Sequence, residues 1–321
     1  MPARQRLPPG PQLTAPEPGT GWTGPEPLDD PALTRVLTDG ELELIGRITA
    51  SSNATFLCSA AVDGAQVRCV YKPVRGERPL WDFPDGTLAG REVATHLLSQ
   101  AFDWGIVPPT VLRDGPFGPG MVQAWVRTVR EPVDGGPDDE TDDDEPDDED
   151  PGYTGTGADD PDPVDLVPRG AVPPGYLTVL EAWDARGEEV LLVHADDPGL
   201  RRMAVLDIVA NNADRKGGHV LAPVGGGQVR GCDHGLTFHT EPKLRTVLWG
   251  FAGRRLRAAE REPLERVADA LAPGAELARE LRGLVRPAEI AAARRRATAL
   301  LRTGRFPEPS ASRSAIPWPA F

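Results

Sequence analysis

A dense block of carboxylates is the feature that most limits how this chain can fold. Residues 134 to 165 hold 16 of the 49 aspartates and glutamates, and all 35 lysines and arginines lie outside them. A segment with this much like charge, broken by Pro and Gly, cannot bury enough apolar surface to offset the entropy lost on folding. We therefore predict a disordered acidic insertion over 129–169 that separates two folded parts.

The two ends of the chain are rich in proline. Residues 1–30 are predicted to form a disordered Pro-rich N-terminus, and residues 306–321 a Pro/Ser tail. This leaves 31–128 and 170–305 as the folded parts, which together are long enough to enclose a hydrophobic core. The first part is predicted to be rich in β-strands with one helix over 87–105, and the second to be mostly helical.

Charge and cysteine content exclude several classes of protein. The net charge of −14 comes from the acidic block, which disfavours a nucleic-acid partner. Three widely spaced cysteines, Cys58, Cys69 and Cys232, form no CxxC pair and fit a reducing cytoplasm. No apolar stretch reaches the length of a membrane span, so we expect no stable membrane insertion. The sequence predicts a cytoplasmic protein.

One lysine stands out near the end of a predicted strand, in the motif VYKP. The chain has only three lysines against many arginines, so Lys72 indicates a position that requires a compact ammonium group. Such a group can bind the phosphates of a nucleotide, with Glu92 of the following helix as its carboxylate partner. The alternative is a lysine that extends to solvent and a glutamate that interacts with the helix dipole.

A Ser/Asn-rich turn, TASSNAT at 49–55, lies between two predicted strands. Its backbone amides and the side chains of Ser51, Ser52 and Asn53 can surround phosphate oxygens. An ordinary polar hairpin turn explains the same residues equally well.

The segment ANNADRKGGHVL, followed by GCDHGLTF, carries the strongest chemical signal. An apolar helix is predicted to end just before Asp214, which then faces a cleft between the two parts. His219 and Asp233 are placed to bind a metal ion, and Lys216 to orient the charges around Asp214. Two polar turns that join a hairpin are the alternative interpretation.

These motifs resemble the phosphatidylinositol 3-/4-kinase superfamily, most closely the type II phosphatidylinositol 4-kinases, and more distantly the HipA-type kinases. VYKP resembles the phosphate-binding lysine motif of that superfamily, and GMVQAWV resembles its hinge. The resemblance implies an α+β, bilobal protein-kinase-like fold with a β-rich N-lobe and a mostly helical C-lobe. It covers roughly residues 42–128 and 176–255, in the same order along the chain.

The resemblance also implies site residues, with ATP as cofactor. Asp214 and Lys216 are expected to be catalytic, and His219 and Asp233 to bind Mg²⁺ or Mn²⁺. The expected ATP-binding residues are Ser51, Ser52, Asn53, Lys72, Glu92, Gln123, Ala124, Trp125 and Val126. The acceptor of the phosphate is a protein, a small molecule or a lipid headgroup.

His219 departs from the pattern, since the superfamily has an asparagine at this position. Mg²⁺ prefers oxygen ligands, whereas imidazole is a good ligand for Mn²⁺ and other transition metals. Two functions therefore stay open: an active kinase, or an inactive pseudokinase that acts as a nucleotide-binding interaction module.

Overall fold

The protein has an α+β fold of antiparallel sheets and helices. The computed structural model describes residues 30–48, 51, 53–128, 162–183 and 186–321. The predicted disorder of the N-terminus and of most of the acidic insertion lies outside these residues. No helix in the described ranges has the length and apolar character needed to cross a bilayer.

The described residues form ten strands and six α-helices. The strands are β1 (Glu41–Ile48), β2 (Thr55–Val62), β3 (Ala65–Pro73), β4 (Thr110–Gly115), β5 (Gly118–Ala124), β6 (Val164–Pro168), β7 (Tyr176–Trp183), β8 (Glu189–Ala195), β9 (Val220–Leu221) and β10 (Arg230–Gly231). The helices are α1 (Asp30–Asp39), α2 (Leu88–Phe102), α3 (Pro198–Ala210), α4 (Ala258–Ala270), α5 (Glu276–Glu280) and α6 (Pro287–Thr303).

The first part of the chain forms a five-stranded antiparallel sheet in the order β1-β2-β3-β5-β4. Asp63 and Gly64 form the turn between β2 and β3, and both have positive φ, 50° and 80°, as the favoured two-residue hairpin turn requires. Helix α1 packs Val36 and Leu37 into the small core on one side of this sheet. The sheet thereby holds Lys72, near the end of β3, at a fixed position.

Helix α2 connects the sheet to the rest of the molecule. Its N-terminus is capped by Glu77, whose carboxylate accepts hydrogen bonds from the amides of Leu88 and Ala89 at 3.1 and 2.8 Å. The helix ends at Phe102, where Asp103 takes a left-handed conformation, three residues before the predicted end. Nearly the whole helix is buried, including the polar side chain of Glu92.

A second sheet contradicts two predictions: that residues 129–169 are disordered throughout, and that the second part is mostly helical. Strands β6, β7 and β8 form an antiparallel sheet in the order β6-β8-β7, and β6 lies inside the segment 129–169 that was predicted to be disordered. The dense charge before it obscured the apolar Val164 and Val167, which are buried in the sheet. Within the described residues of the second part, only one α-helix, α3, precedes Ala258, where α4 begins.

Buried ion pairs join the helices of the second part to α2 and to each other. Arg91 of α2 pairs with Glu289 of α6 at 2.8 Å, and both side chains are almost fully buried. Arg201 of α3 pairs with Glu260 of α4 at 2.5 Å. Because a buried charge is costly without its partner, these pairs favour one arrangement of the helices.

The predicted Pro/Ser tail packs against the body of the protein instead of extending from it. The backbone carbonyl of Ala315 accepts hydrogen bonds from the indole of Trp249 at 2.8 Å and the amide of Thr246 at 3.0 Å. The carbonyl of Ala320 accepts one from the amide of Gly217 at 2.7 Å. The apolar side chain of Phe321 packs on the large core. The tail thus contacts the loop that carries Asp214.

Gly217→Ala tests this contact. A Cβ atom at residue 217 would overlap the ring of Phe321, and the backbone of Gly217 is not in the left-handed region. We expect a destabilisation of about 1–3 kcal/mol, typical of overpacking, measured by urea unfolding. Most of it should disappear in the Phe321→Ala background, because the clashing ring is then absent.

Gly218→Ala is the matched control. A Cβ atom at residue 218 meets nothing within 4 Å, so this substitution should change stability by no more than about 0.5 kcal/mol. An equal loss for Gly217→Ala with and without Phe321 would contradict the docking of the tail on this loop.

Candidate active site

Three ionisable side chains from distant parts of the sequence meet where β3, α2 and the segment after β10 come together. The Nζ atom of Lys72, on β3, donates to Glu92 Oε1 at 2.9 Å and to Asp233 Oδ1 at 2.8 Å. Glu92 lies on α2 and Asp233 follows β10. The ammonium group is mostly buried and the Glu92 carboxylate is only 2% exposed. The predicted pairing of Lys72 with Glu92 is present in the structure.

The pKa shifts of this cluster follow from its geometry. Burial alone would lower the pKa of Lys72, but Asp233 and Glu92 raise it above its ordinary value. Burial raises the pKa of Glu92, and Lys72 opposes this effect. Burial also acts to raise the pKa of Asp233, yet the charge of Lys72 holds it well below its ordinary value. Asp233 therefore remains an anion at neutral pH.

Asp233 has an unusual backbone conformation. Its φ is 56°, in the left-handed region that non-glycine residues seldom adopt. The next amide, that of His234, donates to Glu92 Oε2 at 2.7 Å, so the two Glu92 oxygens hold Lys72 and the backbone after Asp233 together. Such conformations are concentrated at functional sites, where surrounding contacts enforce them.

The loop after α3 is fixed by a buried ion pair. Helix α3 ends at Ala210 with Asn211 in the left-handed cap position. Asp207, in the last turn of the helix, accepts two hydrogen bonds from the guanidinium of Arg215, both at 2.9 Å. Asp207 also accepts one from the side-chain amide of Asn212 at 2.9 Å. Asp214 therefore lies between two residues that are anchored to the same carboxylate.

Arg215 also joins this loop to the segment that carries Asp233. Its guanidinium donates to the carbonyls of His219 and Cys232, each at 3.1 Å, and to His234 Nε2 at 2.6 Å. Burial, together with the charge of Arg215, keeps the pKa of His234 well below its ordinary value, so the ring can accept this bond as a neutral imidazole. Asp214 and Asp233 are thus held in fixed relative positions.

Asp214 and Asp233 line one pocket with Lys72 and Glu92. The pocket has a volume of about 280 Å³. Within the described residues, the side chain of Asp214 has no hydrogen-bond partner; only its backbone is engaged. A free carboxylate beside a Lys–Asp pair is suited to accept a proton or orient a hydroxyl group.

His219 lies close to Asp233, as the sequence predicted. Its Nδ1 atom is 2.9 Å from the carbonyl oxygen of Asp214, which can only accept, so Nδ1 carries the proton. Its Nε2 atom therefore presents a lone pair, 3.5 Å from Asp233 Oδ2. Burial lowers the pKa of His219, which favours the neutral form that metals bind.

The donor set at this position fits a metal ion that is bound together with a nucleotide. No cluster of three or more His, Cys, Asp or Glu residues that could hold a metal occurs in the described part of the chain. The carboxylate of Asp233 and the imidazole of His219 provide two donors. Mg²⁺ commonly takes one or two carboxylates and completes its shell with phosphates and water, and the imidazole nitrogen adds affinity for Mn²⁺.

The predicted phosphate-binding turn is only partly described. Ser52 lies outside the described residues. Ser51 accepts a hydrogen bond from the hydroxyl of Thr55 at 2.8 Å. Asn53 lines the pocket of Lys72, and its side-chain oxygen accepts a hydrogen bond from the amide of Arg78 at 2.8 Å. The turn therefore borders the pocket, with Asn53 as its nearest contact.

The predicted hinge has less free hydrogen-bonding capacity than its sequence suggests. The side chain of Gln123 is buried and donates to Thr110 Oγ1 at 2.8 Å. The amides of Ala124 and Trp125 donate to the carbonyls of Pro109 and Arg68, at 2.9 and 3.0 Å.

The remaining hinge groups are the amide of Val126, for which no bond occurs in the described part, and the indole nitrogen of Trp125. That nitrogen is buried and has no partner there. These two groups are the better candidates for contact with a base.

Other residues of the site differ in how well the sequence predicts them. Lys216 is half-buried just before a short 3-10 turn, and it makes no ion pair in the described part of the chain. Asp207 and Arg78 were not predicted. Asp207 could be found as the one acid within the apolar run MAVLDIVA, whereas Arg78, which lines the pocket of Lys72, has no local signal.

The chain is similar over nearly its full length to a mycobacterial protein. No family model matches the chain. Protein Rv2133c of Mycobacterium tuberculosis is 51% identical over 286 residues, which cover 89% of this chain and 94% of that protein. Such identity over nearly the full length of both proteins requires common descent and a shared fold. The chain belongs to the same protein family as Rv2133c of Mycobacterium tuberculosis.

Proposed function

We propose that this protein is an ATP-dependent phosphotransferase with a bilobal, protein-kinase-like fold. The observation that supports this most strongly is the Lys72 ammonium between Glu92 and Asp233, in one pocket with the free carboxylate of Asp214. Phosphoryl transfer requires a cation on the phosphates, an anionic metal ligand and a group that orients the acceptor. In this proposal Lys72, Asp233 and Asp214, which line one pocket, fill these three roles.

Each side chain has a distinct role in this proposal. Lys72 binds phosphate oxygens, and Glu92 holds its ammonium in place. Asp233 and His219 would hold the Mg²⁺ or Mn²⁺ that neutralises the phosphates. Asp214 orients the hydroxyl of the acceptor and takes its proton. The γ-phosphate is transferred to a protein, a small molecule or a lipid headgroup.

A nucleotide-binding pseudokinase is the second candidate function. The observation that favours it is His219, which stands in place of the expected asparagine and thus offers an imidazole nitrogen where Mg²⁺ prefers an oxygen ligand. The Asp214 carboxylate, for which no hydrogen-bond partner occurs within the described residues, supports the active enzyme instead, because such a group can take the proton of an acceptor.

Lys72→Met tests nucleotide binding directly. We expect ATP affinity to fall by about tenfold or more, the scale of a charged hydrogen bond, as measured by isothermal titration calorimetry with Mg²⁺ and with Mn²⁺. Lys72→Met leaves the Glu92 carboxylate buried without its partner, so Lys72→Met/Glu92→Gln should be titrated as well.

Lys243→Met is the matched control, since it removes a paired lysine that does not line this pocket. Its ATP affinity should equal that of the wild type. Unchanged affinity in both Lys72 variants, with the fold intact, would remove Lys72 from the nucleotide site.

A further inference from the structure

A large groove opens beside the pocket of Asp214. Its volume is about 850 Å³, and its walls include residues 80–83, residues 241–245 and parts of the tail between 307 and 314. Leu80 and Leu236 line both the groove and the pocket that holds Asp214 and Asp233. A molecule in the groove can therefore present one end to Asp214, which the proposed function makes the group that receives the acceptor.

Most charges along the groove are paired. The ammonium of Lys243 lies 2.8 Å from Asp82, and the guanidinium of Arg313 lies 3.9 Å from Glu241. The remaining carboxylate, that of Glu308, lies against the backbone of Gly253. Because Lys243 and Arg313 are already paired with carboxylates, we expect them to contribute little to the binding of an anionic ligand.

Arg245 is a cation of the groove without such a partner. Within the described residues, no carboxylate lies at ion-pairing distance from its guanidinium. Its Nε atom donates to the carbonyl of Ala213 at 2.6 Å. Its backbone bonds to the carbonyl of Asn212 and the amide of Arg215, at 3.0 and 3.1 Å. These three bonds hold Arg245 directly beside Asp214.

Arg296 also lines the groove, and it is a second cation without a carboxylate partner in the described structure. It donates to the carbonyls of Val209 and His239 at 2.9 and 3.2 Å, while its Nη2 atom is buried without a partner in the described structure. Burial, together with the charge of Arg295, lowers the pKa of Arg296 to about 9, although Glu289 acts in the opposite direction. A nearby anion would stabilise this guanidinium.

An exposed indole lies at the edge of the groove. Trp81 is 93% exposed, although it lines the groove together with the apolar Leu80 and Phe83. Lys243 Nζ lies 5.0 Å from the centre of its ring. Exposed aromatic surface next to a groove is typical of a contact with the apolar face of a ligand.

We propose that this groove binds the phosphoacceptor, and that the acceptor is a hydroxyl compound with a phosphate monoester or carboxylate held by Arg245. Its apolar or ring face packs on Trp81 and its hydroxyl group reaches Asp214. The hydroxyl oxygen forms a bond to the γ-phosphorus of ATP while the bond to the β-phosphate oxygen breaks. ADP leaves, and the hydroxyl proton passes to the Asp214 carboxylate.

Calorimetric titration with inorganic phosphate, acetate and phenyl phosphate, in the absence of nucleotide, tests the proposal. We expect Arg245→Gln to weaken the binding of inorganic phosphate or acetate about tenfold. Arg313→Gln, which removes a paired arginine of the same groove, should change it less than about twofold. Phenyl phosphate should bind more tightly than inorganic phosphate, and Trp81→Ala should abolish this difference. Trp81→Ala therefore still tests the groove if the Arg245→Gln variant does not fold.

Lys72→Met separates this site from the nucleotide pocket. If the Lys72→Met variant still binds inorganic phosphate, the anion lies in the groove. If Lys72→Met abolishes phosphate binding and Arg245→Gln does not, the proposal is overturned. No binding of any anion also overturns it, and the proposed function then still stands if ATP binds. Anion binding that depends on Arg245, without ATP binding, would instead refute the phosphotransferase and leave only an anion site.

Vesicles of phosphatidylcholine with and without phosphatidic acid distinguish two sources of a phosphate. If the protein sediments with the phosphatidic acid vesicles, and Arg245→Gln abolishes this while Arg313→Gln does not, the phosphate belongs to a lipid. Binding of the soluble probes without sedimentation would place the anion on a soluble compound.

Discussion

Asp214→Asn is expected to lower phosphoryl transfer by a factor of about 10² to 10⁴ and to leave ATP and metal binding intact. The side chain of Asp214 has no hydrogen-bond partner within the described residues, so its replacement by the isosteric amide disturbs no contact. The amide cannot take the proton of the acceptor. Single-turnover transfer from ATP and calorimetric binding of ATP measure the two quantities separately.

Asp233→Asn should fail in a different way. This substitution removes an anion that pairs with Lys72 and that, in the proposed function, would hold the metal, so metal-dependent ATP binding itself should be lost. His219→Asn should change the preference between Mn²⁺ and Mg²⁺ if the imidazole is a ligand. Equal transfer by the wild type and Asp214→Asn with every metal would contradict the catalytic role of Asp214.

Asp207→Ala is expected to destabilise the protein by about 3–5 kcal/mol, because it leaves the buried guanidinium of Arg215 without its counter-ion. Asp207 and Arg215 are both nearly inaccessible to solvent, and Arg215 links the Asp214 loop to His234. The free energy of unfolding in urea measures the loss.

Asp207→Leu/Arg215→Met provides the control for this prediction. An apolar pair of similar size removes both charges, so it should recover much of the stability lost in the single variant. It should not recover ATP turnover, because the contacts of Arg215 with His219 and Cys232 are absent as well. A loss below about 1 kcal/mol for Asp207→Ala would show that the pair does not fix the loop.

The residues that meet in the candidate site were easier to predict from the sequence than the framework that holds them. Lys72 could be predicted because lysine is rare in this chain, and Asp214 and Asp233 because each stands in a short polar motif after apolar residues. The pairing of Lys72 with Glu92 required only that a helix follow the strand. Each of these inferences depends on local sequence, which periodicity and composition report well.

The missed features depend on contacts between distant residues. The hinge looked available because its sequence gives no sign that Pro109 and Arg68 bond to the amides of Ala124 and Trp125. The tail appeared to be free because Pro and Ser dominate it, whereas its few apolar residues find the large core only in the folded chain. Strand β6 was hidden by the acidic block that precedes it. Tertiary packing decides such cases.

The most direct test of the phosphotransferase is turnover of γ-labelled ATP by the wild-type protein, with Mg²⁺ and with Mn²⁺ in separate reactions. We predict release of ADP at a rate that Asp214→Asn lowers by about 10² or more, with Mn²⁺ at least as effective as Mg²⁺. Intact mass of the protein then shows whether the label is transferred to the chain itself. ATP that binds in the Lys72 pocket but is not turned over with either ion would contradict the account and leave the nucleotide-binding module.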